Sequence, residues 1–187
     1  MPDEHTVGEP ENVYHWAGPP TLDLLRYQVR NPSGGTYPTH ALRAQNGRTG
    51  VVIIALRGTR LLVVDQFRPT VGSVLTELPR GFGEESSRDA AGWIRDAERE
   101  LYEETGLRSV DSRLLGTYAP DSSLLPDPVA VVRCRVENIA ADQTDGEVLR
   151  SRWIERSTIP ELVRTGALRD GHTLSALALA SASQHLD

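Results

Sequence analysis

Arg99-Glu-Leu-Tyr-Glu-Glu-Thr-Gly-Leu107 is the stretch on which the reading of this 187-residue chain turns. At about 100° per residue, a helix places Glu100 and Glu104 roughly 40° apart, with Glu103 further round, next to Glu100. The pair lies beside the apolar stripe of Ala90, Ile94, Ala97 and Leu101 rather than opposite it. Like charges at i,i+3 and i,i+4 cost roughly 0.2–0.5 kcal/mol each. Carboxylates at a helix C-terminus also oppose the macrodipole, at about 0.3–1 kcal/mol each. Helix stability therefore does not select this cluster, and a bound divalent cation would reverse the sign of every one of those terms. Carboxylates with no His or Cys partner suit a hard ion, Mg²⁺ or Mn²⁺, rather than zinc. On spacing alone the alternative is a solvated acidic face, with Arg95 and Arg99 as intrahelical partners.

Working outward, the spacing predicts a helix from about Ser87 to Glu104. Ser86 or Ser87 caps it, Asp89 lies in its first turn, and Gly106 with Leu107 stops it. Alternating and apolar runs predict strands at Leu22–Arg30, Tyr37–Gln45, Val51–Leu56, Arg60–Gln66, Val74–Leu78, Leu114–Tyr118, Val129–Val136 and Val148–Ile154. Arg57-Gly58-Thr59 reads as a hairpin turn and Asn46-Gly47 as a tight turn. Two shorter helices are expected at Ile159–Thr165 and Thr173–Ser183. Residues 1–21 are polar and proline-bearing and are expected to lack regular structure, leaving 22–187 as a single domain that includes the strands of 22–45. Strands interspersed with a few helices indicate an α/β or α+β sandwich.

Composition narrows the chemistry. All 20 basic residues are Arg, which excludes reactions that need a lysine amine, and 26 acidic residues give a net charge of −6. That balance argues against nucleic acid or an anionic membrane as a partner. The one cysteine, Cys134, excludes an intrachain disulfide framework and reads as a packed strand residue. No apolar run is long enough to span a bilayer, and the N-terminus lacks the pattern of a signal peptide, so a cytoplasmic protein is expected. The five histidines show no metal-ligand spacing, and His172 falls in a turn where a cap or surface role is expected.

The wider segment, Glu77-Leu-Pro-Arg-Gly-Phe-Gly-Glu84 and then Arg99 to Leu107, resembles the Nudix box: Gly, five residues, Glu, seven residues, then Arg-Glu-aliphatic-x-Glu-Glu-x-Gly-aliphatic. The second half matches at every specified position. The first half departs: seventeen residues, 82–98, separate Gly81 from Arg99 where the pattern has thirteen, and Ala91 stands at the expected Glu. In the family that Glu braces the box Arg, and the displaced Glu84 or Glu85 could brace Arg99 here. Leu61-Leu-Val-Val-Asp-Gln-Phe-Arg68 ahead of Glu77-Leu-Pro79, and Gly166-Ala-Leu-Arg-Asp-Gly-His-Thr173, are similar to segments of the ADP-ribose and nucleoside-diphosphate-sugar branch.

The resemblance implies a Nudix-type α/β/α sandwich with a mixed β-sheet and an N-terminal antiparallel strand pair. It also implies Mg²⁺-dependent (Mn²⁺ as the alternative) cleavage of a nucleoside diphosphate sugar, with ADP-ribose giving AMP and ribose 5-phosphate as the best candidate. Glu100, Glu103, Glu104 and the backbone carbonyl of Arg80 would be metal ligands. Arg99, Glu103 and Glu147 would serve catalysis, with Asp142 and Asp145 as rivals to Glu147 for the water. Arg68 and Glu77 would bind a small nucleotide substrate. A homodimer formed through the N-terminal region is implied as well. The alternatives are a Nudix enzyme for another nucleoside diphosphate derivative and a non-catalytic nucleotide-sensing module on the same scaffold.

Overall fold

A computed structural model describes residues 4–84, 89–137 and 148–183. In chain order the strands are β1 (Thr6–Val7), β2 (Glu11–Trp16), β3 (Leu22–Arg30), β4 (Thr36–Ala44), β5 (Gly50–Arg57), β6 (Arg60–Arg68), β7 (Ser73–Glu77) and β8 (Arg80–Phe82). Helix α1 (Ala90–Thr105) follows, then β9 (Asp111–Tyr118), β10 (Val129–Arg135), β11 (Val148–Glu155), α2 (Ile159–Arg164) and α3 (Gly171–Ala182). The chain divides into two compact units, Met1–Arg48 with Ala119–Pro128, and Thr49–Tyr118 with Val129–Asp187.

The first unit is a four-stranded antiparallel sheet in which β1 and β2 flank β3 along its length and β4 pairs its other edge. The expected β3–β4 pair is present over nine residue pairs, Leu22↔Ala44 to Arg30↔Thr36. The stretch 1–21, expected to be irregular, instead carries β1 and β2. Both are exposed along their whole length, so no buried-face alternation marks them. Both are held by backbone pairing with β3, and β2 is held through Asp23 as well. The Asp23 carboxylate accepts from Asn12 Nδ2 at 2.7 Å and from Arg43 Nη2 at 2.9 Å, and lies 2.7 Å from His15 Nδ1.

The second unit is the sandwich. Its mixed sheet runs β11-β6-β5-β10-β9, with β10 parallel to β5 and the other pairs antiparallel. The β5–β6 hairpin pairs only at its tip, Leu56↔Leu61 and Arg57↔Arg60. Away from that tip the strands part, and β7 joins β6 while β8 joins β5. This splay puts the segment Glu77–Phe82 between the two central strands, where its backbone is fixed.

Side chains of β5 and β10 alternate between two cores, as period-2 geometry requires. Val51, Ile53, Ala55, Ala130, Val132 and Cys134 meet Ala97, Leu101 and Leu107 of the α1 region. Val52, Ile54, Val129 and Val131 meet Leu168, Ala176, Leu177 and Ala180 around α3. Helices on both faces of a mixed sheet make this an α/β/α sandwich. Helix α1 begins two to three residues later than expected. Asp89 itself is its N-cap, accepting from Gly92 N at 2.8 Å, and Ser86 and Ser87 lie outside the described residues. Its end follows the expectation, with Gly106 left-handed at φ 68°.

Candidate active site

The acidic cluster stands on the last turns of α1, graded in burial. Glu104 is 4% exposed, Glu100 is half-buried and Glu103 is exposed. Arg99 organises it. Its Nη1 donates to Glu103 at 2.6 Å, and its Nη2 donates to Glu100 at 2.8 Å and to the Phe82 carbonyl at 2.9 Å. The box arginine therefore ties two of the carboxylates to the strand that precedes the helix. Burial pushes the Glu100 carboxyl above its usual range, and the Arg99 charge opposes that rise.

Gly81 shows how close strand and helix come. A Cβ on it would lie 2.1–2.4 Å from the Glu100 carboxylate atoms, so any side chain there would displace Glu100. The Glu100 carboxylate thus packs against the Gly81 backbone, adjacent in the chain to the Arg80 carbonyl. Among the described residues, no three His, Cys, Asp or Glu side chains converge as a ready-formed cage. Arg99 holds Glu100 and Glu103 toward itself. The donor set nonetheless fits a hard divalent cation. It is all oxygen, it sits at the edge of the core, and its backbone member is fixed by the pairing of β8 with β5.

A second polar group lies where β6, β7, β8 and the start of α3 meet. Glu77 is 0% exposed and accepts from Arg68 in a two-pronged pair, Nε at 2.9 Å and Nη2 at 2.6 Å, and from Arg80 Nε at 3.1 Å. Two guanidinium groups thus share one buried carboxylate, and each keeps roughly a quarter of its side chain in solvent. Arg80 Nη2 also lies 3.7 Å from Asp170. With its carboxylate enclosed, Glu77 holds Arg68 and Arg80 and offers no surface of its own to a ligand.

The Asp170–Thr173 turn locks this group to the sandwich. Asp170 caps α3, accepting from Thr173 N and Oγ1, both at 2.8 Å. Thr173 Oγ1 in turn accepts from Leu78 N at 3.0 Å, and the Pro79 carbonyl accepts from Ile53 N at 2.9 Å. His172, expected to be a cap or surface residue, is instead half-buried, 2.6 Å through Nδ1 from the Tyr118 hydroxyl. Burial, with Arg80 nearby, lowers its pKa and favours the neutral ring.

The structure thus brings Arg99, Glu100, Glu103 and Glu104 together on one helix end, and Arg68, Glu77 and Arg80 around one buried carboxylate. Glu147, Asp142, Asp145 and Glu85 lie outside the described residues. The Arg80 side chain, Asp96 and the Tyr118–His172 pair were not among the expected site residues. For Arg80, the signal in the sequence is a guanidinium placed three residues after an acid, Glu77.

The NUDIX domain family matches residues 46–177, well over half the chain. A curated relative from Streptomyces rubellomurinus, a CMP-5'-(N-acetyl-N-hydroxy-3-aminopropyl)phosphonate hydrolase, is 28% identical over 177 residues, covering 92% of this chain and 81% of its own. Among solved structures, an ADP compounds hydrolase superposes with a TM-score of 0.78 at 17% identity, over 98% of this chain and 97% of that one. The sandwich, the helix-borne glutamates and the family match agree: the chain belongs to the Nudix family of hydrolases.

Proposed function

We propose that the protein hydrolyses the pyrophosphate link of a nucleoside diphosphate derivative, with ADP-ribose the leading candidate, using a divalent cation held at the end of α1. The observation that carries this reading is the half-buried Glu100 carboxylate packed against the Gly81 backbone, with buried Glu104 one turn further along α1 and with Arg68 and Arg80 held on Glu77 at the neighbouring strands. Glu100, Glu104 and the Arg80 carbonyl would hold the ion, Mg²⁺ or Mn²⁺, with Glu103 serving a further ion or its waters. When bound, such an ion neutralises charge on the phosphate oxygens and acidifies a coordinated water.

The chain's own residues supply the rest. Arg99 fixes the Glu100 carboxylate and the Phe82 carbonyl in one frame, and so ties the end of α1 to the strand that carries the Arg80 carbonyl. Arg68, with two donors facing Glu77 and part of its fork in solvent, meets a substrate phosphate or stacks on a base. Glu147, immediately before β11, accepts a proton from the attacking water. The water oxygen bonds to one phosphorus, the P–O bond to the bridging oxygen breaks, and that oxygen leaves on the second phosphate.

The names of the two similar proteins support the class without fixing the substrate. One acts on a CMP-linked phosphonate and the other on ADP compounds. The former favours a second reading, a nucleotide joined to an acid other than ribose phosphate. Product analysis with Mg²⁺ on ADP-ribose, ADP-glucose, GDP-mannose, a CMP-linked phosphonate and a nucleoside triphosphate separates them. AMP released fastest from ADP-ribose supports the first reading, and CMP released fastest from the phosphonate supports the second. Binding without turnover across the whole panel would contradict both.

The described helices include none long and apolar enough to cross a membrane. Burial raises the pKa of the Cys134 thiol to about 11, which leaves it a packed and unreactive strand residue. The N-terminal sheet exposes Val7, Val13, Tyr14, Trp16 and Tyr37, an apolar set that a second copy of the chain would cover. Light scattering should therefore give twice the 20.5 kDa chain mass, and a monomer mass at micromolar concentration would contradict the dimer.

A further inference from the structure

The first half of the Nudix pattern supplies a glutamate that braces the box arginine, and here Ala91 stands in its place, exposed near the start of α1. Glu84 reaches Arg99 Nε only at 3.6 Å and is 69% exposed in its side chain, a weak hold in water. Three residues before Arg99 on the same helix lies a carboxylate of another kind. Asp96 is 3% exposed, accepts from Glu84 N at 2.8 Å, and has Oδ1 at 3.7 Å from Arg99 Nη2. Gly83 passes directly over it. A Cβ there would meet Asp96 Oδ2 at 2.5 Å and the Thr49 carbonyl at 2.8 Å, and Gly83 N donates to that same carbonyl at 3.0 Å.

The segment 81–84 is therefore gripped at successive residues. Gly81 rests on Glu100, the Phe82 carbonyl accepts from Arg99, Gly83 is anchored to Thr49, and Glu84 N donates to Asp96. Two of these four grips come from Arg99 and Asp96, which also face each other. A buried carboxylate near a guanidinium exerts a stronger pull than an exposed one, because little water screens it.

We propose that Asp96 is the positioning residue that replaces the missing glutamate: it fixes the 81–84 segment and orients Arg99, so that Glu100 and the Arg80 carbonyl stay in place for the cation. The inference rests on the reading of Glu100 and Glu104 as holders of that cation. It differs from the sequence expectation in assigning the brace to a residue inside the helix rather than to Glu84 or Glu85.

The test compares full-length wild type, D96A, D96N, E84A and G83A. Two readouts are used: the Mn²⁺ concentration at half-maximal rise in melting temperature, and kcat and KM for ADP-ribose. Removing a group that orients metal ligands costs about ten- to a hundred-fold in metal affinity or activity. D96A should raise the Mn²⁺ midpoint by about that factor and lower kcat, with KM changed by less than about three-fold. D96N should fall between D96A and wild type, since Asn Oδ1 still accepts from Glu84 N while the charge facing Arg99 is gone. G83A should follow D96A, and E84A should shift the midpoint by less than about two-fold. If D96A does not fold, D96N and G83A decide the matter by the same midpoint. A wild-type midpoint in D96A and D96N, or an E84A loss equal to that of D96A, would overturn the proposal. A wild type that shows no Mn²⁺-dependent rise at all would overturn the cation reading beneath it, which is a separate and recognisable failure.

Discussion

Asp23 shows how much one side chain decides. It is buried in the N-terminal sheet, and contacts from His15, Arg43 and Asn12 pull its carboxyl down to about 2. A carboxylate depressed from its ordinary value of about 3.9 adds stability that is complete above that value and lost as pH falls toward the folded one. The β2–β3 pairing should therefore loosen between about pH 4 and pH 2. The Trp16 indole, which packs over Gly18 at the end of β2, reports on it. Its proton resonance should move through that window in wild type, and Asp23→Asn should show no such step. A wild-type resonance unchanged down to pH 2 would refute the assignment. At this scale the sequence was legible where charge was locally costly. Glu100 and Glu104 stood out because like charges at that spacing near a helix C-terminus cost stability, and both lie at the edge of the buried face as expected. Asp96 did not stand out. A single acid on a charged helix is ordinary, and its burial comes from Gly83 and Thr49, which only the fold brings to it.

At the scale of elements, what could be read depended on periodicity and what could not depended on partners. Strands β3, β5, β6 and β10 and helix α1 bury one or both faces, so their apolar spacing set their places to within a few residues. β8 is three residues, Arg80–Phe82, and exists because β5 and β6 part and leave β5 an unpaired edge. No pattern of three residues could announce it. Yet it is the element that carries Gly81 to Glu100. β2 was hidden for the opposite reason. All six of its residues are exposed, so its pairing with β3 leaves no mark on the hydropathy pattern. The segment around Asp170 and Thr173 was recognised by resemblance, but its work emerged only in three dimensions. It joins the first turn of α3 to Leu78 N, and so fixes the acid that carries Arg68 and Arg80.

At the scale of the whole molecule, the second unit is a sandwich whose central strands diverge, and the segment Glu77–Phe82 sits in that divergence. Two cores back the sheet, one under α1 and one under α3, so both the acidic helix end and the Arg68–Glu77–Arg80 group rest on packed structure. The central claim is that the end of α1 holds the divalent cation on which hydrolysis depends. The direct measurement is kcat for AMP release from ADP-ribose at saturating Mg²⁺, in wild type and Glu104→Gln, with correct folding of both verified by circular dichroism. Glutamine keeps the volume of this buried side chain and removes only its charge. The account predicts a loss of at least about a hundred-fold in the variant, and abolition of wild-type turnover by a chelator. A Glu104→Gln enzyme that turns over at close to the wild-type rate would contradict it.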